Sequence, residues 1–137
     1  QTCALPIYVV IGLMATDGTI QTGIYGRKAK SMKLAMVVPD KEHQTMVMEA
    51  IYGEKGVKAG YTDGYCKEVL LKAAEHLVKD KGAQALILGC TELPLILEET
   101  DNLKLGDGHA AIVDPTSSLA RRVVKVAGEI TKIRGVR

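Results

Sequence analysis

The sequence of 137 residues is 47% hydrophobic and 25% charged, the ordinary composition of one globular domain able to bury a core. Its 18 basic and 16 acidic residues leave a formal charge of +2, and five Tyr with no Phe or Trp offer no stacking platform for bases, so no nucleic-acid partner is expected. No apolar run approaches the roughly 20 residues of a membrane-spanning helix, and no membrane association is expected either.

The three cysteines, Cys3, Cys66 and Cys90, stand at irregular spacing without a CxxC pair, and no His is placed to complete a zinc site. Neither a disulfide framework nor a metal centre is expected. Free thiols and the lack of a charged, apolar, then small-residue leader fit a cytoplasmic protein. Residues 1–7 carry no initiator Met and no turn or periodic signal, and Ala4-Leu5-Pro6-Ile7 matches the translation of a common sequencing adaptor. This segment, Cys3 included, is set apart as a non-native or truncated start.

Tyr8 to Leu13 is a continuous apolar run rich in β-branched residues, as in a parallel strand covered on both faces. After the loop Ala15-Thr16-Asp17-Gly18-Thr19, Ile20 to Lys30 is expected to be helical, with Ile20, Ile24 and Ala29 inward. Leu34 to Val38 makes a second short strand ending at Pro39, and Lys41 to Tyr52 a helix carrying Thr45, Met46, Met48, Ala50 and Ile51. Three glycines and two lysines make Gly53 to Thr62 a surface loop. The clearest helix follows, with Cys66, Val69, Leu70, Ala73 and Leu77 at i, i+3, i+4, i+7 and i+11, Asp63 as N-cap and Gly82 as the stop. Cys66 thus reads as a packed structural thiol.

Ala83 to Leu88 is a third strand running into Gly89-Cys90-Thr91-Glu92, and Pro94 opens a short helical stretch to Glu98. A polar loop with Asp101, Asn102, Gly106, Asp107 and Gly108 precedes a fourth strand, Ala110 to Val113. Asp114 caps a last helix with Pro115 in its first turn and Leu119, Val123, Val126, Ala127 and Ile130 at helical spacing. Strand and helix alternate, which makes the class α/β with a parallel sheet flanked by helices.

In such sheets ligands bind at the carboxyl ends of the strands, where loops converge and helix N-termini aim N–H groups at anions. Two segments fall there. Ala15 to Thr19 offers two hydroxyls, although a plain helix-capping turn explains it as well. Gly89 to Pro94 sets a thiol between a strand and a helix, where a helix dipole lowers its pKa and favours the reactive thiolate; Cys90 is the best candidate base or nucleophile, against the plain reading of a small strand-end packing residue. His43, His76 and His109 read as solvated surface. No GxGxxG or Walker loop supports nucleotide binding.

Three segments in this order, Gly12-Leu13-Met14-Ala15-Thr16-Asp17-Gly18-Thr19, Gln44 to Gly60, and Leu88-Gly89-Cys90-Thr91-Glu92-Leu93-Pro94-Leu95, resemble the aspartate/glutamate racemase family. The likeness continues through Val113-Asp114-Pro115-Thr116. It implies a cofactor-independent racemase with two α/β domains, an active site in the cleft between them, and one catalytic cysteine on each side. One thiolate removes the α-proton of a small acidic amino acid while the opposed thiol delivers a proton to the other face. Cys90 matches the second cysteine; Thr91, Thr16 and Thr19 match positions near the substrate carboxylate, and Tyr52 and Lys58 a loop that positions the acid. Glu92 stands where glutamate racemases usually have His, which implies aspartate.

The family's first cysteine lies in a Cys-Asn-Thr motif that this sequence lacks. The resemblance therefore implies a second racemase domain at 8–103, followed at 104–137 by a strand and helix that would complete a largely missing first domain and leave an apolar helix face exposed. A homodimer is implied for the full-length family member. Alternatives within the superfamily are a maleate isomerase, hydantoin racemase or arylmalonate decarboxylase, for which Thr16, Thr19 and Lys58 are a poorer match. Outside catalysis, half a cleft would leave an inactive dicarboxylate-binding fragment, and a thiol redox protein would lack its resolving cysteine.

Overall fold

A computed structural model describes residues 9–135. Residues 1–7 and Tyr8, with the Cys3 segment set apart above, lie outside the described residues. Five strands, β1 (Val10–Met14), β2 (Ala35–Val37), β3 (Ala85–Leu88), β4 (Thr100–Leu105) and β5 (Gly108–Val113), form one sheet in the order β2-β1-β3-β5-β4. The first four in that order run parallel, as expected of α/β alternation; β4 is antiparallel to β5.

The core lies between the sheet and two helices, α3 (Lys41–Tyr52) and α4 (Tyr65–Lys79). Met14, Leu86, Leu88 and Ile112 of the strands meet Val47, Ala50 and Ile51 of α3 and Val69, Leu70, Ala73 and Leu77 of α4, all buried. Each such large side chain contributes about 1.5–3 kcal/mol on burial. In α3 Val47 is buried with Ala50 and Ile51, whereas Thr45 is exposed and Met46 and Met48 are half-buried. Polar contacts at both ends hold α3 and α4 antiparallel: the Tyr65 hydroxyl donates to Glu49 at 2.7 Å, and the Asp40 N–H donates to His76 Nε2 at 3.3 Å.

Several local expectations need correction. The span Ile20 to Lys30 is two helices, α1 (Asp17–Thr22) and α2 (Ile24–Ser31), because Gly23 at φ 67° ends the first in a left-handed cap; Ala29 is buried, but Ile24 at the break is exposed. Asp63 does not cap α4. Gly64 holds that position, and the Asp63 carboxylate accepts from the Gly64 N–H instead. The helical stretch expected from Pro94 to Glu98 is a single 3-10 turn, Leu93–Leu95. The loop expected at Asp101 and Asn102 is strand β4, joined to β5 by a tight turn at Gly106, whose φ of 58° suits glycine. An edge strand keeps one side wet, so Asp101, Asn102 and Lys104 face water while Leu105 faces the core.

Coverage on both faces, expected from the apolar runs, is also only partial. Along β3 and β5 the residues Leu86, Leu88, Ala110 and Ile112 are buried, while Ala85, Ile87, Ala111 and Val113 between them are half-buried. The sheet runs across position 103, the expected end of the second domain: that position lies inside β4, and β5 beyond it pairs with β3. The helix α5 (Pro115–Arg134) has no buried residue; Arg121 donates to Glu99 at 2.9 Å, and Leu119, Val123, Val124, Ile130 and Ile133 are exposed. Among the described residues no helix is long and apolar enough to cross a membrane.

Candidate active site

The register of β1 and β3 sets Met14 opposite Leu88, so the segments leaving the two strands, Ala15 to Thr19 and Gly89 to Glu92, share one edge of the sheet. The Gly89 N–H donates to Met14 O at 2.7 Å and pulls the two exits together. Glycine is required there by space: a Cβ at Gly89 would lie 2.7 Å from Leu13 Cδ1 and 3.0 Å from Ala15 Cβ.

Cys90, half-buried, points its thiol at the carboxylate of Glu92, with Sγ donating to Oε2 at 2.9 Å. The Thr91 hydroxyl donates to the same oxygen at 3.0 Å, and Lys58 Nζ lies 3.2 Å from Oε1. Lys58 in turn stands 5.0 Å from the centroid of the Tyr52 ring, within the range of cation–π attraction. Five residues named from the sequence, Tyr52, Lys58, Cys90, Thr91 and Glu92, are thus one connected cluster. The turn Val57–Ala59 brings Lys58 into it: Gly56 and Val57 are buried beside the end of α3, so this part of the Gly53 to Thr62 loop is packed.

The charges respond accordingly. The hydrogen bonds from Cys90 and Thr91, with the Lys58 cation, hold the Glu92 carboxyl down at about 2, and Glu92 raises the Lys58 ammonium. The Cys90 thiol is pushed up from its ordinary value, first by burial and then by its hydrogen bond to Glu92. This overturns the expected acidic thiol. The element following Cys90 is one 3-10 turn rather than a full helix, so little dipole faces the sulfur, while an ionised carboxylate lies in direct contact.

Thr16 and Thr19 lie on the same edge but are engaged with each other. The Thr16 hydroxyl oxygen accepts from the Thr19 N–H at 3.3 Å as the N-cap of α1 and donates to the Thr19 hydroxyl oxygen at 3.2 Å. Sequence reasoning passed over Gln44, which holds this loop from α3. Its Nε2 donates to Ala15 O at 3.0 Å and Asp17 Oδ1 at 2.8 Å, while its Oε1 is buried without a partner among the described residues. Cys66 is fully buried on α4, its thiol donating to the carbonyls of Tyr61 and Asp63, in keeping with a structural thiol. Cys90 is therefore the one thiol at this edge among the described residues.

The family model for Asp/Glu/hydantoin racemases matches residues 2–123. The chain belongs to that family. An uncharacterized protein in the pnlA 3' region of Pectobacterium carotovorum subsp. carotovorum is 32% identical over 117 residues, covering 84% of this chain and 71% of the relative. A glutamate racemase from Limosilactobacillus reuteri (strain DSM 20016) is 25% identical over 84% of this chain and 40% of its own length. Among solved structures, an aspartate racemase homologue from Pyrococcus horikoshii OT3 superimposes with a TM-score of 0.69 at 26% identity, covering 87% of this chain and 48% of that one. The aspartate racemase of Picrophilus torridus gives 0.59 at 27% identity, over 88% and 46%. The chain thus spans about half the length of the racemases whose structures it resembles.

One histidine expected at the solvated surface of this racemase-family chain is buried. His109 is exposed, but His76 is 6% exposed, its ring stacked on that of His43 with centroids 3.9 Å apart. Helical spacing alone could have flagged it, since position 76 follows Cys66, Val69 and Ala73 along the buried stripe of α4.

Proposed function

We propose that this chain carries half the active site of a cofactor-independent amino-acid racemase acting on a small acidic amino acid, with Cys90 as one of two proton-transfer groups. The observation that supports this reading is the contact of the Cys90 thiol with Glu92 beside Lys58, at a strand end where α/β sheets bind ligands.

A raised thiol pKa means that Cys90 carries its proton at neutral pH, the form in which it acts as the acid. A second base, supplied by a part of the protein outside the described residues, would take the α-proton from one face. Cys90 would give its proton to the other and be left as the thiolate. The Thr16 and Thr19 hydroxyls, which can exchange their mutual bond for a ligand oxygen, and the Thr91 hydroxyl would hold the substrate α-carboxylate. Lys58, steadied by Tyr52, would meet the side-chain carboxylate, with Glu92 positioning both Lys58 and the thiol. Glu92 in place of His favours aspartate over glutamate. In this reading the complete enzyme is a homodimer, with α5 and its apolar stripe covered by the absent first domain.

The test is α-proton exchange of L- and D-aspartate, and of L- and D-glutamate, in deuterated buffer. Three proteins are compared: this chain, a version lengthened at its start to the size of the racemases it resembles, and the lengthened version with Cys90→Ala. Exchange and racemisation by the lengthened protein, abolished by Cys90→Ala, support the reading. A lengthened protein silent toward both aspartate and glutamate refutes the substrate.

A further inference from the structure

At the far end of α3 from Tyr52, roughly 18 Å away at 1.5 Å per helical residue, Asp40, His43 and His76 come together where α3 begins and α4 ends. Each can offer one ligand atom, and these atoms lie within 4.8 Å of one another. Asp40 Oδ1 is 2.6 Å from His43 Nδ1, and Asp40 Oδ2 is 3.7 Å from His76 Nε2. A surface depression lined by His43, His76, Glu75 and Asp80, together with Lys72 and Lys79, opens the group to solvent.

The state of His76 is set by its neighbours. Its Nδ1 is 2.8 Å from Asp80 Oδ2, an acceptor, so Nδ1 carries the hydrogen. Its Nε2 then has the lone pair, which faces the Asp40 N–H at 3.3 Å, a long contact that is easily given up. A nearly buried imidazole with one nitrogen fixed to a carboxylate and only a long backbone contact on the other is an arrangement that serves metal binding, the carboxylate holding tautomer and ring in place. Two imidazoles and one carboxylate suit a borderline divalent ion such as Zn2+ or Co2+.

We propose that Asp40, His43 and His76 bind a divalent transition-metal ion, with Asp80 positioning His76, and that the ion staples the start of α3 to the end of α4. An ion at about 2.0–2.1 Å from each nitrogen needs its ligands closer together than they stand. The parallel stacked rings cannot aim at one point, so His43, on the first turn of α3, rotates off His76, and Asp40 Oδ1, which keeps the His43 N–H at 2.9 Å as the N-cap of α3, turns its other lone pair to the metal. Solvent completes the coordination. The site is distant from Cys90 and takes no part in proton transfer.

The test is titration of the chain with Zn2+ by calorimetry after its accessible thiols are blocked with iodoacetamide, with thermal unfolding followed with and without the ion. One ion per chain should bind, raising the unfolding midpoint, and chelation should reverse the rise. His43→Gln, at a partly exposed position, should keep the metal-free midpoint and lose both effects. Asp80→Ala should weaken binding by roughly 10-fold or more, as loss of a positioning carboxylate does. Absence of Zn2+ binding by the unaltered chain, or undiminished binding by His43→Gln, overturns the proposal. Co2+ provides a second readout: a visible spectrum of nitrogen and oxygen ligation is expected, and a sulfur-to-metal charge-transfer band would place the ion on a cysteine and refute the site.

Discussion

Cys90 and Glu92 are two residues apart in sequence and face each other, the thiol donating to the carboxylate at 2.9 Å. The pair joins a proton that can be given away to a charge that retains it. Lys58 acts on both from the far side: it holds Glu92 ionised and, by its own charge, favours the Cys90 thiolate.

The two neighbours of the thiol therefore act with opposite signs. Glu92→Gln removes a charge that raises the Cys90 pKa, and the pH profile of Cys90 alkylation by iodoacetamide should move to lower pH, with a several-fold faster rate at neutral pH. Lys58→Met should move the profile to higher pH. Profiles that stay where they are in both variants would show that burial alone governs the sulfur.

Folding stability inherits a pH dependence from the same pair. The folded Glu92 carboxyl lies at about 2 against an ordinary 4.5, so its contribution is full above about 4.5 and is lost as pH falls toward about 2. Cys90 is shifted upward, so its contribution is full below the ordinary thiol value and is lost as pH rises through the folded value. Urea unfolding between about pH 5 and pH 2 should show a smaller loss of stability in Glu92→Gln than in the unaltered chain.

The packing leaves no room for a side chain at Gly12 of β1 or at Gly89 just beyond β3. A Cβ at Gly12 would lie 2.6 Å from Leu86 Cδ2, and one at Gly89 2.7 Å from Leu13 Cδ1. Gly12→Ala and Gly89→Ala should each cost about 1–3 kcal/mol in denaturant unfolding. Gly89→Ala should also change the alkylation rate of Cys90, because Gly89 sets the exit of β3; Gly12, lower in the strand, should not.

Apolar residues on α4 and α5 should differ sharply in their worth. Leu70 is fully buried, and Leu70→Ala should cost about 2–5 kcal/mol. Leu119 is 64% exposed, and Leu119→Ala should stay within about 0.5 kcal/mol in this chain. A large effect of Leu119→Ala would mean that α5 is covered in solution.

Much of this architecture is legible in the residues alone, because local rules and the final packing agree there. The buried stripe of α4, the strand Ala85–Leu88 with Cys90 just beyond it, and the Asp114-Pro115 start of α5 follow from periodicity, capping and proline geometry. Tertiary structure decided what those rules do not reach. Strand β4 is polar enough to read as a loop and becomes a strand only because β5 offers it an edge. His76 is buried because α3 packs across α4 and supplies Asp40 and His43. The acidity of Cys90 depended on where the Glu92 side chain turned and on Lys58 arriving from 34 residues earlier to meet it. Sequence spacing names the candidates; pKa values follow from distances between side chains that spacing along the chain does not contain.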